Sequence, residues 1–287
     1  MRVIKSVLLL LLCVSVVFFV WCVSGNELAH VSAKESIRLC VIMYHQISKD
    51  GKNTGKYVIA ADELEKDLKY INEKGYKTVN VQDLTDYVDG KITLPEKCVM
   101  LTFDDGFETH YTVVYPLLKK YGMKGVVSVI GSLTELYTES GDHNDLYSYL
   151  DEEEIKLLSS SDEIEIQNHS FDMHYSKAGK RKGINKLNNE TYEEYEAALT
   201  NDVGKQQREL LRITGRLPLA MVYPFGECCD DTVKICKKLG FRATFTCEEK
   251  VNTVTAYRKE SLYNIGRFNR SGIVGRGEFF KKVLSDL

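Results

Sequence analysis

Strands and helices alternate along the chain, and that order predicts an α/β fold: a distorted (β/α) barrel of about seven strands in a single domain. Three observations carry the expectation. Short apolar runs, such as Cys98–Phe103 (CVMLTF), are separated by amphipathic segments with apolar residues at helical spacing. Glycines close several of those segments, at Gly75, Gly122 and Gly240. Of the 287 residues, about 260 remain after the N-terminal segment, enough for one barrel. Strands alternating with helices imply parallel pairing, and seven or eight such units suggest closure, with a doubly wound open sheet as the alternative.

In order, residues 39–44 read as a strand. Residues 61–74 read as a helix with Leu64, Leu68 and Ile71 on one face. Residues 77–81 give a strand and 81–88 a short helix. A buried strand over 98–103 precedes a helix over 113–121, stopped by Gly122. Residues 125–130 form a strand, 151–159 a helix with an acidic first turn, and 163–167 a strand. A long helix from Thr191 to about Ile213 leads to a strand over 219–223. Residues 231–239 are helical, 241–246 a strand, and 262–267 the last strand. Residues 133–149 are a polar, aromatic-containing insertion with the composition of a groove wall.

The first 25 residues stand apart. Arg2 and Lys5 precede an uncharged apolar run that ends in Ser24 and Gly25, the pattern of an export signal or an N-terminal membrane anchor. Residues 26–36 read as a polar stem and 37–287 as the domain, which places the domain at the cell surface or outside the cell. The membrane is met only through the N-terminal segment. A formal net charge of -3 gives no basis for nucleic-acid binding. Six cysteines lie beyond the leader: Cys40, Cys98, Cys228, Cys229, Cys236 and Cys247. Without C-x-x-C spacing they read as disulfides or inert buried thiols rather than metal ligands.

Chemistry in such folds gathers at the carboxyl ends of the strands. The strand 98–103 runs into Asp104-Asp105-Gly106, two adjacent carboxylates that are costly to ionise together unless a cation lies near. The strand 163–167 leads through Asn168 to His169 and His174. Histidines five apart share neither a helix face nor a strand face, so they converge only if the chain curls between them. One carboxylate and two imidazoles make a three-ligand site with open positions, the pattern of catalytic zinc or related divalent ions. The other aspartate is then available as a general base.

Thr102-Phe103-Asp104-Asp105-Gly106, followed by His169-Ser170-x-x-x-His174, resembles the polysaccharide deacetylase family, over residues 41 to about 267. That resemblance implies Asp104 as base and Asp105, His169 and His174 as ligands of a divalent metal, Zn2+ first, with Co2+, Ni2+ or Mn2+ as alternatives. Val41-Ile42-Met43-Tyr44-His45 and the wide histidine spacing resemble the circularly permuted branch that includes poly-β-1,6-N-acetylglucosamine deacetylases. In that branch the early histidine is the general acid, which makes His45 the candidate here.

Tyr223-Pro224-Phe225-Gly226 is similar to the family's third motif, implying oxyanion or substrate contacts from Tyr223, Pro224 and Phe225, with the Phe225 N–H as donor. The arginine that precedes this motif in many members is absent here. Arg267 is the remote substitute, although its position reads more simply as a surface salt bridge. The implied activity is removal of N-acetyl groups from an acetylated glycan by a monomer. An O-acetyl polysaccharide esterase, or a glycan-binding relative without turnover, are the alternatives.

Overall fold

A computed structural model of the chain describes residues 36–176 and 181–284. The leader and the stem through residue 35 lie outside the described residues, and Ser36 already belongs to the first strand. The elements are β1 (Ser36–Tyr44), β2 (Gln46–Ser48), β3 (Val58–Ala60), α1 (Ala61–Glu73), β4 (Lys77–Thr78), α2 (Val81–Val88) and β5 (Cys98–Phe103). A π-helical turn, His110–Val114, runs into α3 (Tyr115–Tyr121), then β6 (Gly125–Val129), α4 (Gly131–Ser140), α5 (Glu152–Ser159) and β7 (Ile164–Asn168). The long α6 (Tyr192–Thr214), β8 (Ala220–Val222), α7 (Asp230–Lys238), β9 (Ala243–Phe245), β10 (Asn252–Thr255), β11 (Phe268–Asn269) and α8 (Arg276–Leu284) complete the order.

Local chemistry sets the helix starts. Asn80 with Asp83, Asp151 with Glu154 and Thr191 with Glu194 form reciprocal capping boxes on α2, α5 and α6. Gly122 takes the left-handed conformation that ends α3.

Seven strands follow one another in the sheet as β10-β1-β5-β6-β7-β8-β9, with β4 on β5 and β11 on β1. Every pair in this sheet is parallel except β1 with β10. Strand alternation divides the core. Cys40, Ile42 and Tyr44 of β1 join Val99, Leu101 and Phe103 of β5 against Leu64, Leu68 and Ile71 of α1. The alternate residues Leu39 and Val41, with Cys98 and Met100, meet Val222 of β8 and Phe245 of β9 in one cluster. First and last strands share that cluster only because the sheet curls on itself. The barrel-like α/β architecture read from the alternation is the one observed.

The predicted last strand, residues 262–267, is corrected. Ile265 bonds to Thr244 and Thr246 at the free edge of β9, and three residues later Phe268–Asn269 pairs with β1. A segment crossing between two diverging edges pairs with each for only a residue or two. Residues 133–140 of the supposed insertion belong to helix α4, which starts at Gly131, and the helix predicted from residue 113 begins with the π turn at His110. The six cysteines are free thiols, so the disulfide alternative does not hold.

Candidate active site

Strand parity puts Asp104 on the inner side. It continues the series Met100, Thr102 beyond the end of β5, and its backbone N–H bonds to Tyr44 at 2.9 Å. Asp104 is buried, and its carboxylate accepts a hydrogen bond from Ser128 Oγ at 3.0 Å and lies 2.7 Å from Arg267 Nη1. Arg267 is fully buried, which corrects its reading as a surface salt bridge. Burial alone would raise the Asp104 pKa. The Arg267 charge and His169 outweigh it and hold the carboxyl well below the usual carboxylate range. The charge missing beside the third motif is thus delivered from the segment that crosses between β9 and β1. A charged residue between Ile265 and Phe268, next to Gly266, was the available signal.

Asp105 has φ 76° and Gly106 φ 78°, so the chain turns sharply and sends successive carboxylates in different directions. Asp105 Oδ1 is 3.4 Å from His169 Nε2 and 3.3 Å from His174 Nε2, and it is buried with no hydrogen-bond partner among the described residues. These separations exceed a charge-assisted hydrogen bond. They match the edges of a tetrahedron of ligands around zinc, about 3.3–3.6 Å. His169 Nδ1 donates to the Val222 carbonyl at 2.8 Å, leaving Nε2 as the bare lone pair on the Asp105 side. Burial, with His169 nearby, lowers the His174 pKa to about 4, so the ring is neutral, as a ligand must be. An orphaned carboxylate oxygen between two imidazole nitrogens fits a divalent cation.

The curl between the two histidines has its own supports. Ser170 takes φ 73° and its N–H bonds to Asn168 Oδ1 at 2.8 Å. Asp202 of α6 accepts from Phe171 N–H at 2.9 Å and Asp172 N–H at 2.8 Å. Ser128 and Asp202 escaped the sequence reading. A serine in the apolar run Gly125–Val129 was visible, whereas nothing marked Asp202 among the acidic residues of a long helix.

His45 lies between β1 and β2, with its ring 4.8 Å from Tyr57 and its Nδ1 buried with no hydrogen-bond partner among the described residues. Burial lowers its pKa, and Asp104 and Asp105 work in the opposite direction. His45, Asp104, Asp105, His169, His174 and Phe225 all line one cleft of about 710 Å³. A second hollow of about 490 Å³, lined by Lys124 and Glu165, contains none of them.

From the third motif only Phe225 lines this cleft, at φ 58°, with its ring 4.6 Å from His174. Tyr223 follows Met221 to the helix side of the sheet and is buried with Tyr195, Ile235 and Cys236. Pro224 is also buried, with its carbonyl and Cβ against Gly183. Neither side chain lines the cleft; beyond the end of β8 the short 3-10 turn Pro224–Gly226 and the left-handed φ of Phe225, not strand alternation, bring the Phe225 ring alone to it.

A poly-β-1,6-N-acetyl-D-glucosamine N-deacetylase of Escherichia coli K12 is 24% identical over 267 residues, covering 83% of this chain and 40% of the relative. This chain therefore spans about two fifths of that relative's length. The Staphylococcus aureus MRSA252 protein of the same name is 26% identical over 212 residues, 74% of this chain and 68% of its own. The solved de-N-acetylase of Aggregatibacter actinomycetemcomitans superposes with a TM-score of 0.71 at 26% identity, over 84% of this chain and 98% of that one. Residues 91–244 match the polysaccharide deacetylase family model, more than half of the sequence, and the chain belongs to that family.

Proposed function

We propose that this protein is a metal-dependent deacetylase that removes N-acetyl groups from a polymer of N-acetylglucosamine. One observation carries the reading: Asp105 Oδ1 stands without a hydrogen-bond partner among the described residues, between two imidazole nitrogens and beside the buried Asp104–Arg267 pair. Asp105, His169 and His174 would hold the cation, with zinc the first candidate and cobalt, nickel and manganese the others. When bound, the cation supplies Lewis-acid polarisation of the acetamide carbonyl and makes water more acidic.

The side chains then divide the remaining work. Asp104, kept ionised by Arg267, accepts a proton from the attacking water. The Phe225 N–H, which bonds to no group among the described residues, donates to the carbonyl oxygen as negative charge develops there. His45 delivers a proton to the departing amine, without which an amide nitrogen is a very poor leaving group. Tyr57, Phe107 and Phe225 line the cleft with aromatic faces suited to sugar rings. Export through residues 1–25 would place this chemistry outside the cytoplasm, where such polymers lie.

Acetate release from poly-β-1,6-N-acetylglucosamine, chitin oligomers and acetylated xylan, with and without chelator, tests the reading. We expect chelator-sensitive release from the N-acetylated polymers, abolished in Asp104→Asn although that variant keeps its metal. Release from xylan alone would establish the O-acetyl esterase alternative.

A further inference from the structure

The segment that carries His45 is held from below in an unusual way. β1 ends at Tyr44 and β2 begins at Gln46, so His45 alone falls between them. Its neighbours are tied by backbone bonds: Tyr44 O accepts from Asp104 N–H, and Gln46 N–H donates to Tyr57 O. The His45 carbonyl is instead met by a side chain, His110 Nε2, at 2.9 Å. The adjacent Thr109 Oγ1 accepts from Ile47 N–H at 3.4 Å. Two consecutive side chains therefore grip the carbonyl and the N–H on either side of Gln46, in two adjacent peptide units.

His110 itself needs an explanation. It is fully buried, with Phe103 and Phe107 ring centroids at 5.7 and 5.9 Å. A carbonyl only accepts, so the ring carries its proton on Nε2, and its Nδ1 is buried with no partner among the described residues. Burial lowers its pKa to about 4, so it is a neutral single donor. An aliphatic residue would occupy this place without the cost of an unsatisfied nitrogen. What histidine adds is the bond to His45. The π turn begins at His110, four residues after Gly106, so the Asp104-Asp105 turn and the clamp belong to one short stretch of chain.

We propose that Thr109 and His110 are positioning residues that fix His45 at a set distance from Asp104 and Asp105, so that its ring meets the departing amine. The proposal rests on the reading of His45 as the general acid. It is tested by comparing two substrates that differ in their need for that acid. An N-acetylglucosamine oligomer must expel an amine, which requires a proton. 4-Nitrophenyl acetate expels a phenolate that leaves as a stable anion.

In His110→Leu we expect the amide kcat to fall about 10–100-fold with KM little changed, and the ester rate to stay within about twofold, with metal content intact. His110→Gln, whose amide N–H reaches the same carbonyl, should regain most of the amide rate. Thr109→Val should lower the amide rate less than His110→Leu and spare the ester. Unchanged amide kcat in His110→Leu, parallel loss of both activities in His110→Leu and Thr109→Val, or no rescue by glutamine would each overturn the proposal. His45→Gln is the control on the underlying reading. If it retains amide turnover, or loses both activities alike, His45 is not the acid, a result distinct from any failure at His110.

Discussion

Arg267 places its Nη1 2.7 Å from Asp104 Oδ1, with 0% of its own side chain and 3% of the aspartate's exposed. A buried pair of this kind is not strong evidence for stability, because both ions lose their water. Its consequence is that the carboxylate stays charged inside the protein. The folded pKa of Asp104 lies below its unfolded value, so the pair's contribution is present at neutral pH and is lost as pH falls below about 4.

Arg267→Met leaves an unpaired buried carboxylate and should cost about 3–5 kcal/mol in urea denaturation at pH 7. Adding Asp104→Asn to that variant should recover much of the loss, since no charge is then left unpaired. The single variant should also move the acidic limb of its kcat–pH profile to higher pH. Equal stability of single and double variants would show that the two groups do not act as a pair.

Asp202 bears on the proposed metal site without touching it. Its two oxygens take the N–H groups of Phe171 and Asp172, inside the loop that joins His169 to His174. Asp202→Ala frees that loop to sample conformations in which the two imidazoles diverge. Groups supporting a ligand shell typically contribute 10–100-fold in metal affinity, and a loss of about that size is expected here. Titration of the apo-protein with zinc against a chromophoric chelator would measure it. An unchanged affinity would mean that Asn168 and the backbone suffice to hold the loop.

What was legible in the sequence follows from periodicity and adjacency. β5 and the Asp104-Asp105 pair beyond it are contiguous, so strand pattern and site came together. His169 and His174 were readable because their odd spacing demands a curl at a strand end. Arg267 was legible only as a remote substitute without a stated partner geometry, and His110 not at all, for a physical reason. Arg267 lies 163 residues from Asp104 and His110 lies 65 from His45, and nothing local marks which distant group a side chain will meet. Tyr223 and Phe225 share strand parity, and only the positive φ of Phe225 in the turn after β8 brings one residue of the third motif to the cleft. Short pairings such as β10 and β11 had too few residues to show a period of two.

A pH effect on stability is expected from the far side of the Asp104-Asp105 turn. Glu108 and Glu154 are 4% and 8% exposed, and His143 Nδ1 lies 3.3 Å from Glu108 Oε1 and 3.7 Å from Glu154 Oε1. Asp151 also faces this group, 3.6 Å from His143 Nε2. Burial, aided by the charge of Glu108, pushes the Glu154 carboxyl up to about 7, against the bond it accepts from Asp151 N–H. Its folded pKa thus exceeds its unfolded value, and the folded state holds a proton that the unfolded chain has released. Stability from this group is fully present below about 4.3 and falls as pH rises toward 7. His143, whose pKa is also raised, loses stabilisation in the same direction. Glu154→Gln keeps an acceptor for Asp151 N–H but removes the titration. The Tm difference, variant minus parent, should therefore grow between pH 5 and pH 8. A constant difference across that range would refute the assignment.

Gly106 offers a test of how tightly the Asp104-Asp105 turn is specified. At φ 78° an alanine would sit in the left-handed region, and its Cβ would meet Val129 Cγ1 at 2.9 Å and Val129 Cα at 3.3 Å. Gly122 provides the comparison, since it also has positive φ, at 59°, but nothing lies within 4 Å of a Cβ there. Gly122→Ala should cost only the backbone term, about 1–2 kcal/mol. Gly106→Ala adds a steric term of about 1–3 kcal/mol, because relief requires Val129 or the turn itself to move. If the turn moves, Asp105 moves with it, one residue away, and zinc affinity drops. Gly122→Ala should leave zinc affinity unchanged, as α3 ends far along the chain from any ligand. Chemical denaturation paired with zinc titration of both variants separates the two terms. Should both alanines cost the same and bind zinc alike, the close approach of Gly106 to Val129 would not be what sets the direction of Asp105.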